Sequence, residues 1–257
     1  MRDYEDDDLD DRPRRRPRPT TDGGAGKILL ILGIVGVVAF VLVGGLIAML
    51  VFAVSRVRTA AERARSQNDL KQVGLAMHNY HDTYSHLPPV GRPTKDGRPG
   101  VSWRVEMVPF LEAGSLYKSF NLDEGWDSPT NSSLLSAMPR QYSTPTEISM
   151  TNTHDRVFTG GGALFDPDKQ LKFTDVKDGL ANTVMVVEAA DPVPWTKPDE
   201  LPYQPGGPLP PLGLPTRDSV LVLMADGSVR YVKKTASAAS WHAAISRAGG
   251  DAPGPDW

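Results

Sequence analysis

The stretch ILLILGIVGVVAFVLVGGLIAMLVFAV, residues 28–54, decides the fold of the N-terminal part of this chain. Its 27 residues include no charged or strongly polar side chain. A helix needs about 20 mainly apolar residues to cross a bilayer core, and a soluble core helix is seldom apolar on all sides. The 19 Leu, Ile, Val and Phe side chains favour insertion by at most about 6–11 kcal/mol. The stretch therefore predicts one transmembrane helix over residues 27–54.

A cleaved signal peptide is the main alternative to a membrane anchor. Its apolar region usually has about 7–15 residues behind a short basic start. The run in this chain is longer, and a polar segment of 27 residues precedes it. Seven Lys and Arg residues lie before the run and five follow within residues 55–71, a bias that favours a cytoplasmic N-terminus. We expect a single-pass protein of the cytoplasmic (inner) membrane with an extracytoplasmic C-terminal domain.

The N-terminal segment, residues 1–26, joins an acidic block to a block rich in Arg and Pro. So charged a segment cannot bury a core, and we expect a disordered cytoplasmic tail. Its arginines either contact anionic lipid headgroups or a partner, or serve only to set the topology. The chain has no cysteine, which excludes disulfides and thiol catalysis. Its net charge of −3 gives no support for nucleic-acid binding.

The sequence after the apolar run, residues 55–87, predicts a continuation of the same helix. It lacks proline up to Leu87 and is rich in good helix formers. Apolar side chains recur at spacings of three and four, which places them on one stripe: Leu70, Val73, Met77, Tyr80 and Tyr84. Because Pro88 and Pro89 cannot continue a helix, we expect it to end near residues 86–87.

The remainder, residues 88–257, predicts an extracytoplasmic α+β head with many loops. Residues 183–190 favour a buried strand, and residues 219–234 favour a hairpin that turns at Asp226-Gly227. Residues 235–248 indicate a terminal helix with glycine just past its end. The predicted fold class is thus α+β, with a long N-terminal helix packed on an antiparallel sheet.

Seven segments resemble, in order, one family of pilin-like proteins of unknown function that is abundant in planctomycete bacteria. They are SQNDLKQVGLAMHNYHDTYSHLPP, SWRVEMVPFLE, FNLDEGWDSPTN, DGLANTVMVVEA, VPWTKPDELPY, ADGSVRYV and AAISRAGGD, within about residues 55–250. The resemblance implies a pilin- or pseudopilin-like helix on an antiparallel sheet, in a cell-envelope protein of secretion-associated type. It implies no enzymatic activity.

The junction before the apolar run departs from the family pattern. Many family members carry a prepilin-type cleavage segment, Gly-Phe-Thr-Leu-Val-Glu, where this chain has Gly-Lys-Ile-Leu-Leu-Ile, residues 26–31. The aromatic residue is missing, and Ile31 stands in place of the glutamate. We therefore expect that a prepilin peptidase does not process this chain and that it stays anchored.

Several residues are candidates for binding a ligand or partner. Trp195 and Tyr203 lie in a proline-rich loop, and they either form an exposed recognition surface or fold back over the sheet edge. Asp178, Asn182 and Asp226 are typical of turns, with ligand binding as the alternative. The histidines His78, His81 and His86, with Asp82, are more typical of packing than of a metal site. We expect no metal, no cofactor and no catalytic residue, since no catalytic motif occurs.

The sequence thus favours a membrane-anchored, pilin-like envelope protein with a structural, assembly or protein-interaction role. Its expected partners are membrane lipid and envelope proteins, without nucleic acid. The alternative is a membrane-tethered binding module for a glycan, a peptide or a small solute.

Overall fold

The computed structural model describes residues 24–111, 113–145 and 149–257. The chain divides into two compact units, residues 1–57 and residues 58–257. Of the expected N-terminal tail, residues 1–23 lie outside the described part. The helices are α1 (Gly24–Tyr84), α2 (Trp103–Glu106), α3 (Gly114–Tyr117), α4 (Pro129–Ser132) and α5 (Ala238–Ile245). The strands are β1 (Gly91–Pro93), β2 (Pro99–Ser102), β3 (Asn152–Arg156), β4 (Phe158–Thr159), β5 (Val184–Pro194), β6 (Leu201–Pro202), β7 (Ser219–Met224) and β8 (Val229–Lys233).

The part of α1 in the first unit is apolar and exposed. Every large apolar side chain from Ile28 to Val57 is at least half exposed. The length and composition of this segment suffice for a membrane span, and a signal sequence near an N-terminus meets the same criteria. None of the 18 residues in the most apolar window of this stretch is buried within the described part of the chain.

The second unit is built on a four-stranded antiparallel sheet in the order β3-β5-β7-β8. The predicted hairpin is confirmed: β7 and β8 pair in regular register, and Gly227 in the turn has a φ of 85°. That positive φ is costly for residues other than glycine, which is why the Asp-Gly turn forms there. Two further pairs are small: β1 with β2, and β4 in parallel with β6.

The sheet is covered on both faces, and β7 shows why its sequence is apolar throughout. Alternate residues of a strand point to opposite faces. Leu221 and Leu223 join the core on the α1 side, while Val220 and Val222 join the core on the α5 side. All six residues of β7 are buried as a result. The fold is therefore α+β, as predicted.

The predicted apolar stripe of α1 packs in the core on the same side as Leu221 and Leu223. Leu70, Val73, Met77 and Tyr80 are buried, and Tyr84 is 53% exposed. The helix ends at Tyr84, slightly before the predicted end. Ser85 turns the chain with a φ of 61° and donates its backbone N–H to the carbonyl oxygen of His81.

The terminal helix is shorter than predicted. It ends at Ile245 because Ser246 is extended and forms a bridge with Ala163. The glycines Gly249 and Gly250 therefore do not cap this helix, and the prediction of a glycine directly past its end is wrong.

Candidate functional site

A cleft of about 480 Å³ opens where the end of α1 meets β1, α2 and α3. Six aromatic and proline residues line it: Tyr80, Tyr84, His86, Pro89, Pro93 and Tyr117. Three polar residues complete the lining: Arg92, Glu106 and Gln170. Its volume falls within the roughly 300–1,000 Å³ typical of small-molecule sites. We call this site the tyrosine cleft.

The aromatic wall of the tyrosine cleft comes from the last turns of α1. Residues four apart share one helix face, so the rings of Tyr80 and Tyr84 meet with centroids 4.5 Å apart. Phe110 packs edge-on against both rings, at 5.7 and 6.4 Å. Tyr80 is buried, whereas Tyr84 is half exposed. The wall thus has the buried ring of Tyr80 at its base and the half-exposed ring of Tyr84 at its rim.

The polar side of the cleft centres on the buried carboxylate of Glu106. Arg92 Nη1 lies 3.1 Å from Glu106 Oε1, and the Tyr117 hydroxyl donates to Glu106 Oε2 at 3.1 Å. The hydrogen bond to Glu106 raises the pKa of Arg92. Burial, followed by the charge of Glu106, raises the pKa of Tyr80 to about 12 and also raises that of Tyr117. At neutral pH the phenols are therefore protonated and the guanidinium is charged.

His86 adds a further polar group to the cleft. Its Nδ1 lies 2.8 Å from the carbonyl oxygen of Leu87. Because a carbonyl oxygen only accepts, Nδ1 is the donor, and Nε2 is an acceptor in the neutral ring. Together, the lining residues can stack against a ligand and exchange hydrogen bonds with it.

A second, smaller cavity of about 20 Å³ is lined by three carboxyl groups: Asp69, Asp155 and Glu188. It has room for about one water molecule. Asp155 lies directly opposite Glu188 in the β3–β5 pair, and like charges at such positions repel. Burial, and then the charge of Glu188, raises the pKa of Asp155 to about 8. Asp155 is therefore mostly protonated at neutral pH.

Arginines balance the other two carboxylates of this cavity. Arg140 Nη2 lies 3.2 Å from Asp69 Oδ1, and Arg217 Nη1 lies 3.0 Å from Glu188 Oε1. Since Asp69 is on α1 and Glu188 is on β5, the cluster joins the helix to the sheet. We interpret it as a structural cluster.

A fully buried ion pair lies deeper in the same unit. Arg104 Nη2 is 2.8 Å from Glu200 Oε1, and the two side chains are 0% and 2% exposed. Glu200 also accepts hydrogen bonds from Trp103 Nε1 and from the backbone N–H of Val157. Burial raises the pKa of Glu200 to about 7 although Arg104 opposes that shift. The pair holds α2 against the segment between β5 and β6.

Trp195 and Tyr203 do not form the exposed aromatic surface that a recognition role requires. Trp195 is fully buried, packs on Phe120 and Tyr142, and donates its indole N–H to the carbonyl oxygen of Leu135. Tyr203 is also buried, and it belongs to the other core cluster. The exposed interpretation is wrong for both residues, because their apolar area is used in the core.

The three turn candidates form hydrogen bonds between their side chains and nearby backbone atoms. Asn182 donates to the carbonyl oxygen of Asp178, beside Gly179 with a φ of 94°. The Asp178 carboxylate accepts the backbone N–H groups of Gly249 and Gly250 at 2.7 and 2.8 Å. In the β7–β8 turn, the carboxylate of Asp226 accepts from the backbone of Ser228. These contacts match the turn interpretation, and the contact between Asp178 and the C-terminal glycines adds a long-range role.

The histidines do not assemble into a metal centre. His78 and His81 both pack against Phe173, with ring centroids 4.5 and 4.7 Å apart, and Asp82 is 82% exposed. Within residues 24–111, 113–145 and 149–257, no group of three or more His, Asp or Glu side chains is arranged to hold a metal ion. His86 alone of the three reaches the tyrosine cleft.

Sequence reasoning missed the tyrosine cleft. The spacing of Tyr80 and Tyr84 predicts that both lie in a core stripe, and the contributions of Arg92, Glu106 and Tyr117 come from separate short elements. One local signal was present: a tyrosine pair four residues apart, followed by His86 and a rigid Pro-Pro pair. It was insufficient because the polar half of the cleft depends on tertiary contacts.

A family described as "Protein of unknown function (DUF1559)" matches residues 55–142. Residues 55–142, about a third of the chain, are thus similar to the DUF1559 family. The match confirms the predicted family resemblance over this range, and every lining residue of the tyrosine cleft except Gln170 lies within the DUF1559 segment. Neither the curated proteins nor the solved structures include a match to the chain.

Proposed function

We propose that this chain is a single-pass membrane protein that binds a ligand in the tyrosine cleft, outside the cytoplasm. The proposed binding function is inferred from the tyrosine cleft. This cleft combines a volume of about 480 Å³ with three tyrosines and a few converging polar groups, which is the usual composition of a ligand site. The proposed role is binding without catalysis.

The proposed membrane placement rests on the exposed apolar part of α1 and on the excess of Lys and Arg before it. We place the N-terminus in the cytoplasm and residues 58–257 on the other side of the inner membrane. Protease added to spheroplasts should then digest residues 58–257 while the cells stay intact. Full protection of these residues until the membrane is lysed would contradict the proposed orientation.

The binding function can be tested on the full chain in lipid nanodiscs by thermal shift against a broad library of small solutes, sugars and peptides. We expect at least one compound to raise the Tm of the wild type and to lose most of this effect in Tyr84→Ala. Leu75→Ala is the matched control, because Leu75 is an exposed residue on the same helix and does not line the cleft. If no compound stabilises the wild type, the proposed binding function is refuted.

An assembly role is the second candidate, and the packing of α1 on an antiparallel sheet favours it. This arrangement is the one that the pilin-like resemblance implies. Crosslinking in native membranes would discriminate: recovery of secretion-type envelope proteins attached to residues 58–257 supports assembly. Recovery of the chain without attached protein leaves ligand binding as the better account.

A further inference from the structure

The tyrosine cleft offers donors and acceptors side by side. Tyrosine hydroxyls both donate and accept, the Gln170 amide does the same through its two atoms, and Arg92 only donates. Glu106 is an acceptor with capacity beyond its two present bonds, because a carboxylate has about four lone-pair sites. A ligand that fits this lining must itself present both donors and acceptors at short spacing.

The charges in the cleft cancel. The guanidinium of Arg92 and the carboxylate of Glu106 are directly paired at 3.1 Å, and the neighbouring phenols are protonated because their pKa values are raised. An anionic ligand attracted by Arg92 would be repelled by the adjacent Glu106. A cationic ligand attracted by Glu106 would be repelled by the adjacent Arg92. The cleft therefore favours an uncharged ligand.

The half-exposed ring of Tyr84 adds an apolar platform beside these polar groups. Polyproline segments also dock on tyrosine-lined grooves. Proline has no backbone N–H, so such a segment would bring carbonyl acceptors and no donor for the remaining acceptor capacity of Glu106 or for His86 Nε2. A sugar ring has an apolar C–H face for stacking and hydroxyls at its edge that donate and accept.

Building on the proposed binding function, we propose that the tyrosine cleft binds a neutral saccharide. The sugar ring stacks on Tyr84, and its hydroxyls exchange hydrogen bonds with Arg92, Glu106 and Gln170. The ring of Tyr84 supplies contact area, so its removal should weaken binding about tenfold, whereas Tyr84→Phe should keep most of the affinity.

The test uses isothermal titration of the full chain in lipid nanodiscs, because sugar-headed detergents would compete for the site. The probes are cellobiose, maltose and di-N-acetylchitobiose as neutral sugars, galacturonic acid and glucosamine as charged sugars, and a decaproline peptide. We expect at least one neutral disaccharide to bind and to weaken about tenfold in Tyr84→Ala. Leu75→Ala should leave its affinity unchanged.

The outcomes separate this inference from the general binding function. If decaproline or a charged sugar binds in a Tyr84-dependent way and no neutral sugar does, the saccharide inference is wrong while the cleft remains a binding site. Neutral-sugar binding that is unaffected by Tyr84→Ala would place the site elsewhere and overturn the inference. If no probe binds and the broad solute library also fails to stabilise the chain, both the inference and the proposed function are refuted.

Discussion

Asp155 lies opposite Glu188 in the sheet, and desolvation of its carboxyl group keeps it mostly protonated at neutral pH. The carboxyl group of Asp155 has a pKa of about 8 in the folded state, against about 4 in an unfolded chain. Between these two pH values the folded state therefore binds more protons than the unfolded state. The free energy of unfolding therefore falls as the pH rises from about 4 to 8. Glu200, with a pKa of about 7, acts in the same direction.

Asp155→Asn should flatten this pH dependence, because an amide resembles the protonated carboxyl and cannot ionise. We expect the variant to exceed the wild type in stability at pH 9 by at least about 1 kcal/mol, or about 2–4 °C in Tm, and to show no gain at pH 5. Thermal melts at pH 5, 7 and 9 measure the effect. Asp82→Asn, at an exposed carboxylate of α1, should leave the slope unchanged. Equal slopes for Asp155→Asn and the wild type would show that Asp155 ionises freely.

The buried pair Arg104–Glu200 should respond very differently to single and double substitution. Arg104→Met leaves Glu200 buried without its counter-ion, and we expect a loss of about 3–5 kcal/mol. The double variant with Glu200→Leu should lose less than the two single variants together, because no lone charge remains. Denaturant unfolding measures the stability of all three variants.

Arg58→Met is the control, since that side chain is 81% exposed, and it should change stability by about 0.5 kcal/mol or less. If the stability losses of the two single variants add up to that of the double variant, Arg104 and Glu200 are not energetically coupled.

At the scale of the element, β5 contains an irregularity that the strict alternation of a strand does not predict. Met185 and Val186 are adjacent in sequence, yet both join the core on the α1 side. The register with β7 shifts between Val184 and Val186, which marks a bulge. In a bulge, two residues of one strand lie opposite a single residue of the partner strand. The residues after the bulge then alternate between the two faces of the sheet again. Val187 and Ala189 consequently pack on the α5 side.

Gly74 of α1 packs closely against Leu223 of β7. A Cβ atom at Gly74 would lie 2.8 Å from Leu223 Cδ1, so a larger side chain requires the buried Leu223 to move. We expect Gly74→Leu to cost about 1–3 kcal/mol through overpacking, although leucine is the better helix former. Leu75→Ala, at the next and exposed position, should stay within about 0.5 kcal/mol of the wild type. An unchanged denaturation midpoint for Gly74→Leu would mean that the helix and the sheet are not tightly packed.

The elements that were predictable from sequence are those whose signal is local. The β7–β8 hairpin is confirmed, and the α1 stripe is confirmed up to Tyr80, whereas Tyr84 is half exposed. The strand predicted over residues 183–190 extends to Pro194 because it pairs with β3 up to Asn152. The short strands β1, β4 and β6 have two or three residues each and depend on partners elsewhere in the chain. The tyrosine cleft was not predictable because it also depends on tertiary contacts: five separate segments supply its walls.

At the scale of the whole molecule, the fate of the apolar run in the cell distinguishes a permanent anchor from a cleaved signal sequence. We expect the protein purified from cells to retain residues 28–54, because the run is longer than a signal peptide's apolar region and lacks the prepilin junction. Intact mass spectrometry after carbonate extraction of membranes measures this. A deletion of residues 28–54 should move the chain to the soluble fraction, while a deletion of residues 3–11 should not. A mature form that lacks residues 28–54 would show that the run is removed.

The contact of Gly74 with Leu223 also sets an order of events during synthesis. The partner strand of the α1 stripe is translated roughly 150 residues later, which takes about 8–30 s at 5–20 residues per second. During that interval Leu70, Val73 and Met77 lack the cover that Leu221 and Leu223 of β7 provide. Contacts so distant in sequence slow folding and leave apolar surface open to association with other chains. Nascent chains shorter than about 220 residues should therefore depend on a chaperone that shields this helix, a requirement that ends when β7 emerges.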